Sequence, residues 1–172
     1  MNHLFKSIIL LVLVFTSVSG HPHTFIEVKP SIKIKDKKMD NLHIKWILDE
    51  MTSMMLIMEL DEDANGRFDK KENTYIYKNY FLSLEKQNFY MKISSNKKNI
   101  SITPKNFKAS IKNGKLVYSF DIEQEIDTKN LKINFEDEDL FVGMMLEKDY
   151  IKLLGANKSN IEHLKKKIFG VN

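Results

Sequence analysis

Apolar and polar residues alternate with period two over Thr24–Ile34, where Ile26, Val28, Ile32 and Ile34 oppose Phe25, Glu27 and Lys29. Pro30 interrupts the run, which predicts an edge strand or two short strands. Beyond a lysine-rich turn at Lys35–Asp40, Leu42, Ile44 and Trp46 alternate with His43, Lys45 and Ile47, so this stretch pairs with the first as a hairpin. From Glu50 to Leu60 the spacing becomes helical. Met51, Met54, Met55 and Met58 recur with Leu56, Ile57 and Leu60, and the methionines are expected to pack in the core, the alternative being an adaptable Met-rich binding surface.

After an acidic loop, Tyr75, Tyr77, Tyr80, Phe81, Leu82 and Leu84 predict a second helix to about Lys86. The remainder reads as strands at Phe89–Ser94, Asn99–Thr103, Asn106–Ile111, Lys115–Ile122 and Leu131–Phe135, with Asn113-Gly114 as a tight hairpin turn. Leu140–Leu146 and Tyr150–Leu154 form a last apolar run, and Ser159–Ile168 predicts a terminal helix with lysines in its final turns. The fold class expected is α+β: an antiparallel β-sandwich or barrel-like sheet, an inserted helix-loop-helix unit over about residues 50–86, and a C-terminal helix.

Composition adjusts this picture at the N-terminus. Lys6, the apolar stretch Ser7–Phe15 and the small residues Val18-Ser19-Gly20 have the layout of a secretory signal peptide over residues 1–20, leaving residues 21–172 as a single domain. The apolar stretch is shorter than the roughly 20 residues that span a bilayer, and no later segment is more apolar, so no membrane span is expected after cleavage. Removing Lys6 lowers the formal charge from +4 to +3, since no acidic residue leaves with it. The remaining cations are nearly all Lys and lie in scattered runs rather than interleaved with Arg and aromatics, which argues against nucleic acid as a partner. With no cysteine the fold must hold by its core, and thiol chemistry is excluded. The richness in Lys, Asn and Ile suggests an AT-rich bacterial genome, for which export means a periplasmic location.

The acidic loop is the most specific chemical pattern. Asp61-Glu62-Asp63-Ala64-Asn65-Gly66-Arg67-Phe68-Asp69-Lys70-Lys71-Glu72 fits the EF-hand pattern DxDxNGxxxxxE throughout. Calcium takes six to eight hard oxygen ligands: side-chain oxygens of Asp61, Asp63 and Asn65, the backbone carbonyl of Arg67, Asp69 directly or through water, and both oxygens of Glu72. Gly66 permits the sharp turn, and Phe68 stands where a hydrophobic residue pins such a loop. Sensor EF-hands work in pairs, whereas this chain has one such loop. A structural or extracellular-type site of roughly 10⁻⁴ to 10⁻³ M is therefore expected. The competing reading is an acidic surface loop that starts a helix, with Asp61 or Asp63 as the cap.

Cleavage after Gly20 would expose His21-Pro22-His23 with a free amine. Amine and imidazole from one residue chelate a single ion, and imidazole suits Zn²⁺, Ni²⁺, Co²⁺ or Cu²⁺. Pro22 lacks an amide proton, which excludes the copper mode that needs successive deprotonated amides. Carboxylates or His43 would complete the shell. The alternative is a frayed terminus that happens to hold two histidines.

In order and spacing, His21-Pro22-His23, Trp46-Ile47-Leu48-Asp49-Glu50-Met51, the acidic loop and Phe135-Glu136-Asp137-Glu138-Asp139-Leu140-Phe141-Val142 resemble the bacterial domain-of-unknown-function family 1007. That family is described as a periplasmic component of an uncharacterised ABC-type transport system, and its association with nickel/cobalt-type efflux permeases implies metal handling. The resemblance implies a role for His21, His23, Trp46, Asp49, Glu50, Asp137 and Asp139. This chain departs from the family at Glu138-Asp139-Leu140, where a Tyr or Phe after Pro is usual, and after Gly155.

The function expected is a periplasmic metal-binding accessory protein. Calcium organises the helical pair, while His21 and His23, with Asp49 or Asp137, bind a transition metal for an inner-membrane metal transporter permease. The alternative is a calcium-stabilised secreted interaction module with no transition-metal role. A mature N-terminal histidine also resembles the copper brace of lytic polysaccharide monooxygenases, which needs a facing histidine such as His43 or His163. The chain has no GxSxG, HExxH or phosphate loop, so it is read as a non-enzyme.

Overall fold

The structure, a computed structural model, describes residues 23–171. Residues 1–20, read as a signal peptide, and His21 lie outside the described residues. Among the described residues, ten strands, three α-helices and several short 3-10 and π turns make a mixed α+β fold with mostly antiparallel sheets. In chain order, β1 is Thr24–Lys35 and β2 is Lys38–Leu48, joined by Asp36 and Lys37 with φ of 50° and 63°. Left-handed conformation at both central residues is what a two-residue turn between twisted strands requires.

Pro30 neither ends β1 nor leaves it at an edge, contrary to the sequence expectation. On one side β1 pairs antiparallel with β2; on the other it pairs in parallel with β9 (Val142–Met145) over Thr24–Glu27 and with β10 (Lys152–Leu154) over Ser31–Lys33. The paired segments on that side stop at Glu27 and resume at Ser31, so the residue without an N–H falls in the break. These two contacts also correct the wholly antiparallel expectation. The C-terminal segment returns alongside the first strand instead of extending the meander.

Helix α1 (Glu50–Leu60) follows β2, and α2 (Lys70–Ile76) follows the acidic loop. The second helix does not continue as α to Lys86: it widens to π over Tyr77–Phe81 and tightens to 3-10 over Leu82–Tyr90. Gln87, Asn88 and Phe89 leave helical geometry within that last stretch, so β3 starts at Met91 rather than Phe89.

The larger sheet runs β10-β1-β2-β6-β5, with β5 at Lys105–Lys112, β6 at Lys115–Ile122, β9 also on β1, and the two-residue β7 (Ile126–Asp127) also on β2. Asn113-Gly114 joins β5 to β6 with φ of 51° and 74°, the hairpin turn its sequence predicts. A smaller sheet runs β4-β3-β8, with β3 at Met91–Ser95, β4 shortened to Lys98–Ile100 and β8 at Lys132–Phe135. Both sheets feed one core, in which Trp46 lies edge-on to Phe120 at 5.0 Å and Ile93 and Ile133 come from the smaller sheet. The terminal helix α3 (Ile161–Phe169) stacks Phe169 on Phe135 at 6.3 Å and ends at Gly170, whose φ of 71° lets its N–H reach the Lys166 carbonyl.

The methionines of α1 are not in the core. Met51, Met54, Met55 and Met58 are exposed by 68%, 58%, 58% and 80%. The helix turns its small polar residues inward instead: Thr52 and Ser53 are buried with Leu60. Ser53 Oγ donates to the Leu48 carbonyl at 3.1 Å and accepts from the Leu116 amide at 2.9 Å, so the hydroxyl is satisfied without water.

Gly155 gives a test of the C-terminal return. A Cβ there would lie 2.2 Å from the Ile34 carbonyl oxygen, at a φ of +79°. Gly114 has a similar φ of +74° with nothing within 4 Å. Gly114→Ala is expected to cost about 1–2 kcal/mol, the left-handed penalty alone, and Gly155→Ala distinctly more, because backbone must move. Urea unfolding of both variants checks this, and equal losses would show that β10 yields freely.

Candidate functional site

The acidic loop is built between the two helix ends that flank it. The Asp61 amide caps α1 by donating to the Ile57 carbonyl at 3.0 Å, and its carboxylate turns back to accept from Asn65 at 3.3 Å and Gly66 at 2.9 Å. Asp63 accepts from the Asn65 amide, and Asn65 Oδ1 from the Arg67 amide at 3.0 Å. Gly66 takes a φ of 78°, the left-handed conformation its place in the motif requires.

At the far end Asp69 and Glu72 form a reciprocal capping box on α2: Asp69 Oδ1 accepts from Glu72 N at 2.8 Å, and Glu72 Oε2 from Asp69 N at 2.7 Å. The other Glu72 oxygen accepts from Glu62 N at 2.8 Å and so ties the end of the loop to its beginning. Phe68 is half-buried against the core.

These constraints bring three carboxylates together. Asp61, Asp63 and Glu72 each offer an oxygen within 4.8 Å of the others, the one such group of three or more His, Cys, Asp or Glu donors among the described residues. Asp61 and Glu72 are buried and Asp63 is exposed, so the cluster opens to solvent on one side. Lys71 does not neutralise it, because its ammonium pairs with Glu62 at 2.7 Å. Two unit charges 4 Å apart repel by roughly 4 kcal/mol at an effective dielectric of about 20. A cation among the three would reverse that sign. Each carboxylate oxygen has two lone pairs, so the amide bonds to Asp61 and Glu72 leave acceptor capacity for a metal. Asn65, Arg67 and Asp69 line the exposed side of the same loop.

The second predicted ligand set is spread around one strand end. His23 is exposed, and its amide donates to the Phe141 carbonyl at 2.9 Å. Asp137 is buried, with its carboxylate accepting from the amides of Asp139, Phe141 and Val142. Asp49 caps α1 through the Thr52 amide and hydroxyl and also accepts from the Phe25 amide at 2.9 Å. Backbone donors thus occupy both carboxylates. Asp49 could have been read as a cap, since it directly precedes the helical spacing; the role of Asp137 leaves no local mark. His43 does not complete this set. It lies opposite Ser31, eight residues along β1 from His23 or about 26 Å at 3.3 Å per residue, where its Nδ1 meets Asp121 at 2.8 Å.

Two features of the site region carried no recognisable signal in the sequence. Asn73 Oδ1 accepts from the Ala109 amide at 2.7 Å and so fixes α2 to β5. The methionines of α1 share the helical spacing of core residues, so periodicity could not tell which face points outward.

The family described as "Protein of unknown function (DUF1007)" matches residues 7–166, and the chain belongs to it. An uncharacterized protein of Haemophilus influenzae is 23% identical over 142 residues, covering 80% of this chain and 68% of its own. An uncharacterized 15.5 kDa protein from the trpE 3' region of Spirochaeta aurantia is 29% identical over 97 residues, covering 54% of this chain and 69% of its own. No solved structure matches the chain. No helix of the described residues is long and apolar enough to cross a membrane.

The cap at Asp49 couples this region to pH. Burial works against its charged form, but the amides of Thr52 and Phe25 and the Thr52 hydroxyl outweigh it and hold the carboxyl below its ordinary value. A carboxyl with a depressed folded pKa contributes stability that is complete above its unfolded value, about 3.9, and is lost as pH falls through the folded value. Asp49→Asn keeps an accepting oxygen but has no charge to lose. Its unfolding free energy is expected to fall less steeply than the parent's below about pH 4, as read from denaturant midpoints across that range. Equal slopes would mean that the cap bonds do not distinguish the charged form.

Proposed function

We propose that the chain is an exported, periplasmic calcium-binding accessory protein in which residues 61–72 form an EF-hand loop. The observation that carries this reading is the meeting of the first, third and twelfth residues of the motif. Asp61, Asp63 and Glu72 are the positions whose oxygens an EF-hand directs at one ion, and they lie within 4.8 Å of one another between two helices. Phe68 against the core and Gly66 in the left-handed region agree with it. Calcium would supply the positive charge that three converging carboxylates lack and would hold the ends of α1 and α2 together. A lone loop suits a structural ion better than a switch.

The accessory role rests on the N-terminus. Cleavage after Gly20 frees the His21 amine, with His23 exposed at the start of β1. Amine and two imidazoles then form a short chelate for Zn²⁺, Ni²⁺, Co²⁺ or Cu²⁺, to be passed to or from an inner-membrane metal transporter permease, as the resemblance to a periplasmic transport component suggests.

Calcium at a site of 10⁻⁴ to 10⁻³ M should stabilise the fold at 10 mM ion by about 1.4–2.7 kcal/mol. In a chain of this size that raises Tm by roughly 3–10 °C. Glu72→Gln, which keeps the volume and removes the bidentate charge, is expected to abolish the rise. A Tm that responds equally to calcium and magnesium, or a variant that responds like its parent, would overturn the calcium reading.

Native mass spectrometry of host-processed protein tests the second part. A chain that starts at His21 and takes up one transition ion, lost on replacing both His21 and His23 by Ala, is the expected outcome. A different N-terminus, or calcium alone, would leave a calcium-stabilised interaction module in its place.

A further inference from the structure

The outer face of α1 is chemically sorted. At about 100° per residue, Met51, Met54, Met55 and Met58 fall within an arc of about 100°, and all four are exposed by 58% or more. The opposite face carries the buried Thr52, Ser53 and Leu60, flanked by the half-buried Leu56 and Ile57. The hydrocarbon side chains of the helix point inward, and every outward apolar position is a thioether.

We propose that this face is a binding site for a soft monovalent cation, Cu(I) or Ag(I), held by two or three of the thioether sulfurs. Thioethers are soft, uncharged donors that select Cu(I) over hard cations. Side chains three and four apart on a helix have Cβ atoms about 5–6 Å apart. Met51, Met54 and Met55, or Met54, Met55 and Met58, therefore reach a common point with their three flexible torsions each. Exposure leaves those torsions free to close on an ion. The helix carries no Lys or Arg to repel a cation, while Glu50 and Glu59 stand at the ends of the face. The chain has no cysteine, so its methionines are its only soft donors. None of its donors belongs to the calcium loop or to the terminal histidines, so this proposal stands independently of both.

Titration of the processed chain with Ag(I), and with Cu(I) under a reductant against a chromophoric competitor, tests it. The variant in which all four methionines become Leu keeps volume and helix propensity. It is expected to lose affinity by more than the roughly 10- to 100-fold that removing a supporting partner of a metal ligand causes, while the His21→Ala/His23→Ala variant still binds through the helix. A second readout needs no variant. Ag(I) should protect Met51, Met54, Met55 and Met58 from peroxide, read by peptide mass spectrometry, while the exposed Met145 is oxidised. A wild-type chain that takes up neither ion, a leucine variant that binds as its parent does, or protection no greater than at Met145 would each overturn the site and leave an apolar docking face.

Discussion

Ser53 fixes the placement of the functional half of the chain. Its side chain is fully buried and holds two backbone groups of the larger sheet, the Leu48 carbonyl and the Leu116 amide. An unsatisfied buried hydroxyl or amide costs about 1–3 kcal/mol, so one small side chain decides which face of α1 lies on the sheet. Asn73 does the corresponding work for α2 by accepting from Ala109 in β5. β5 ends the strand order of its sheet, so this bond also occupies an edge amide that would otherwise be open to another strand. Leu116 lies opposite Ile111, two residues along β5 from Ala109. The acidic loop is thus suspended between two helices pinned to neighbouring points of one hairpin.

What the sequence showed and what it hid follows from these bonds. The β1–β2 hairpin, the Asn113-Gly114 turn and the existence of α1 rest on local patterns, and each was legible. The orientation of α1 was not, because inward serine and outward methionine reverse the usual rule while keeping its period. The parallel pairing of β9 and β10 with β1 was also invisible, since Leu140–Leu146 and Tyr150–Leu154 show apolar runs but no partner. Pro30 misled for a related reason: a proline is confined to an edge only if its neighbour is continuous, and here the neighbour is two short strands with a gap. Beyond Ile76 the periodic aromatics persisted while the helix changed pitch, as Tyr77, Phe81 and Phe107 gathered into one cluster.

In the candidate calcium loop the sequence offered six donors, and the structure brings three of them together, Asp61, Asp63 and Glu72. The bonds that bring the donors together are made by the loop itself: amides 65 and 66 orient Asp61, and amides 62 and 69 orient Glu72. Such bonds hold carboxylates in place but remove none of their mutual repulsion. A loop preorganised in this way favours a cation over a rearrangement, because the ordering cost has already been met by folding. The carboxylates predicted for the terminal histidine site stand differently. Asp49 and Asp137 each accept three hydrogen bonds, against two each for Asp61 and Glu72, so they offer less free acceptor capacity to a transition ion near His23 than the loop carboxylates offer to calcium.

Helix α1 therefore separates two kinds of donor by geometry alone. Hard oxygen donors gather where the helix ends at Asp61; soft sulfur donors occupy its outer flank from Met51 to Met58. A hard cation finds charge and small oxygen ligands at the first, whereas the uncharged, polarisable thioethers of the second offer it little. A soft ion has the reverse preference. Because Ser53 sets the rotation of the helix, the bonds that satisfy one small buried hydroxyl also turn four sulfurs to solvent.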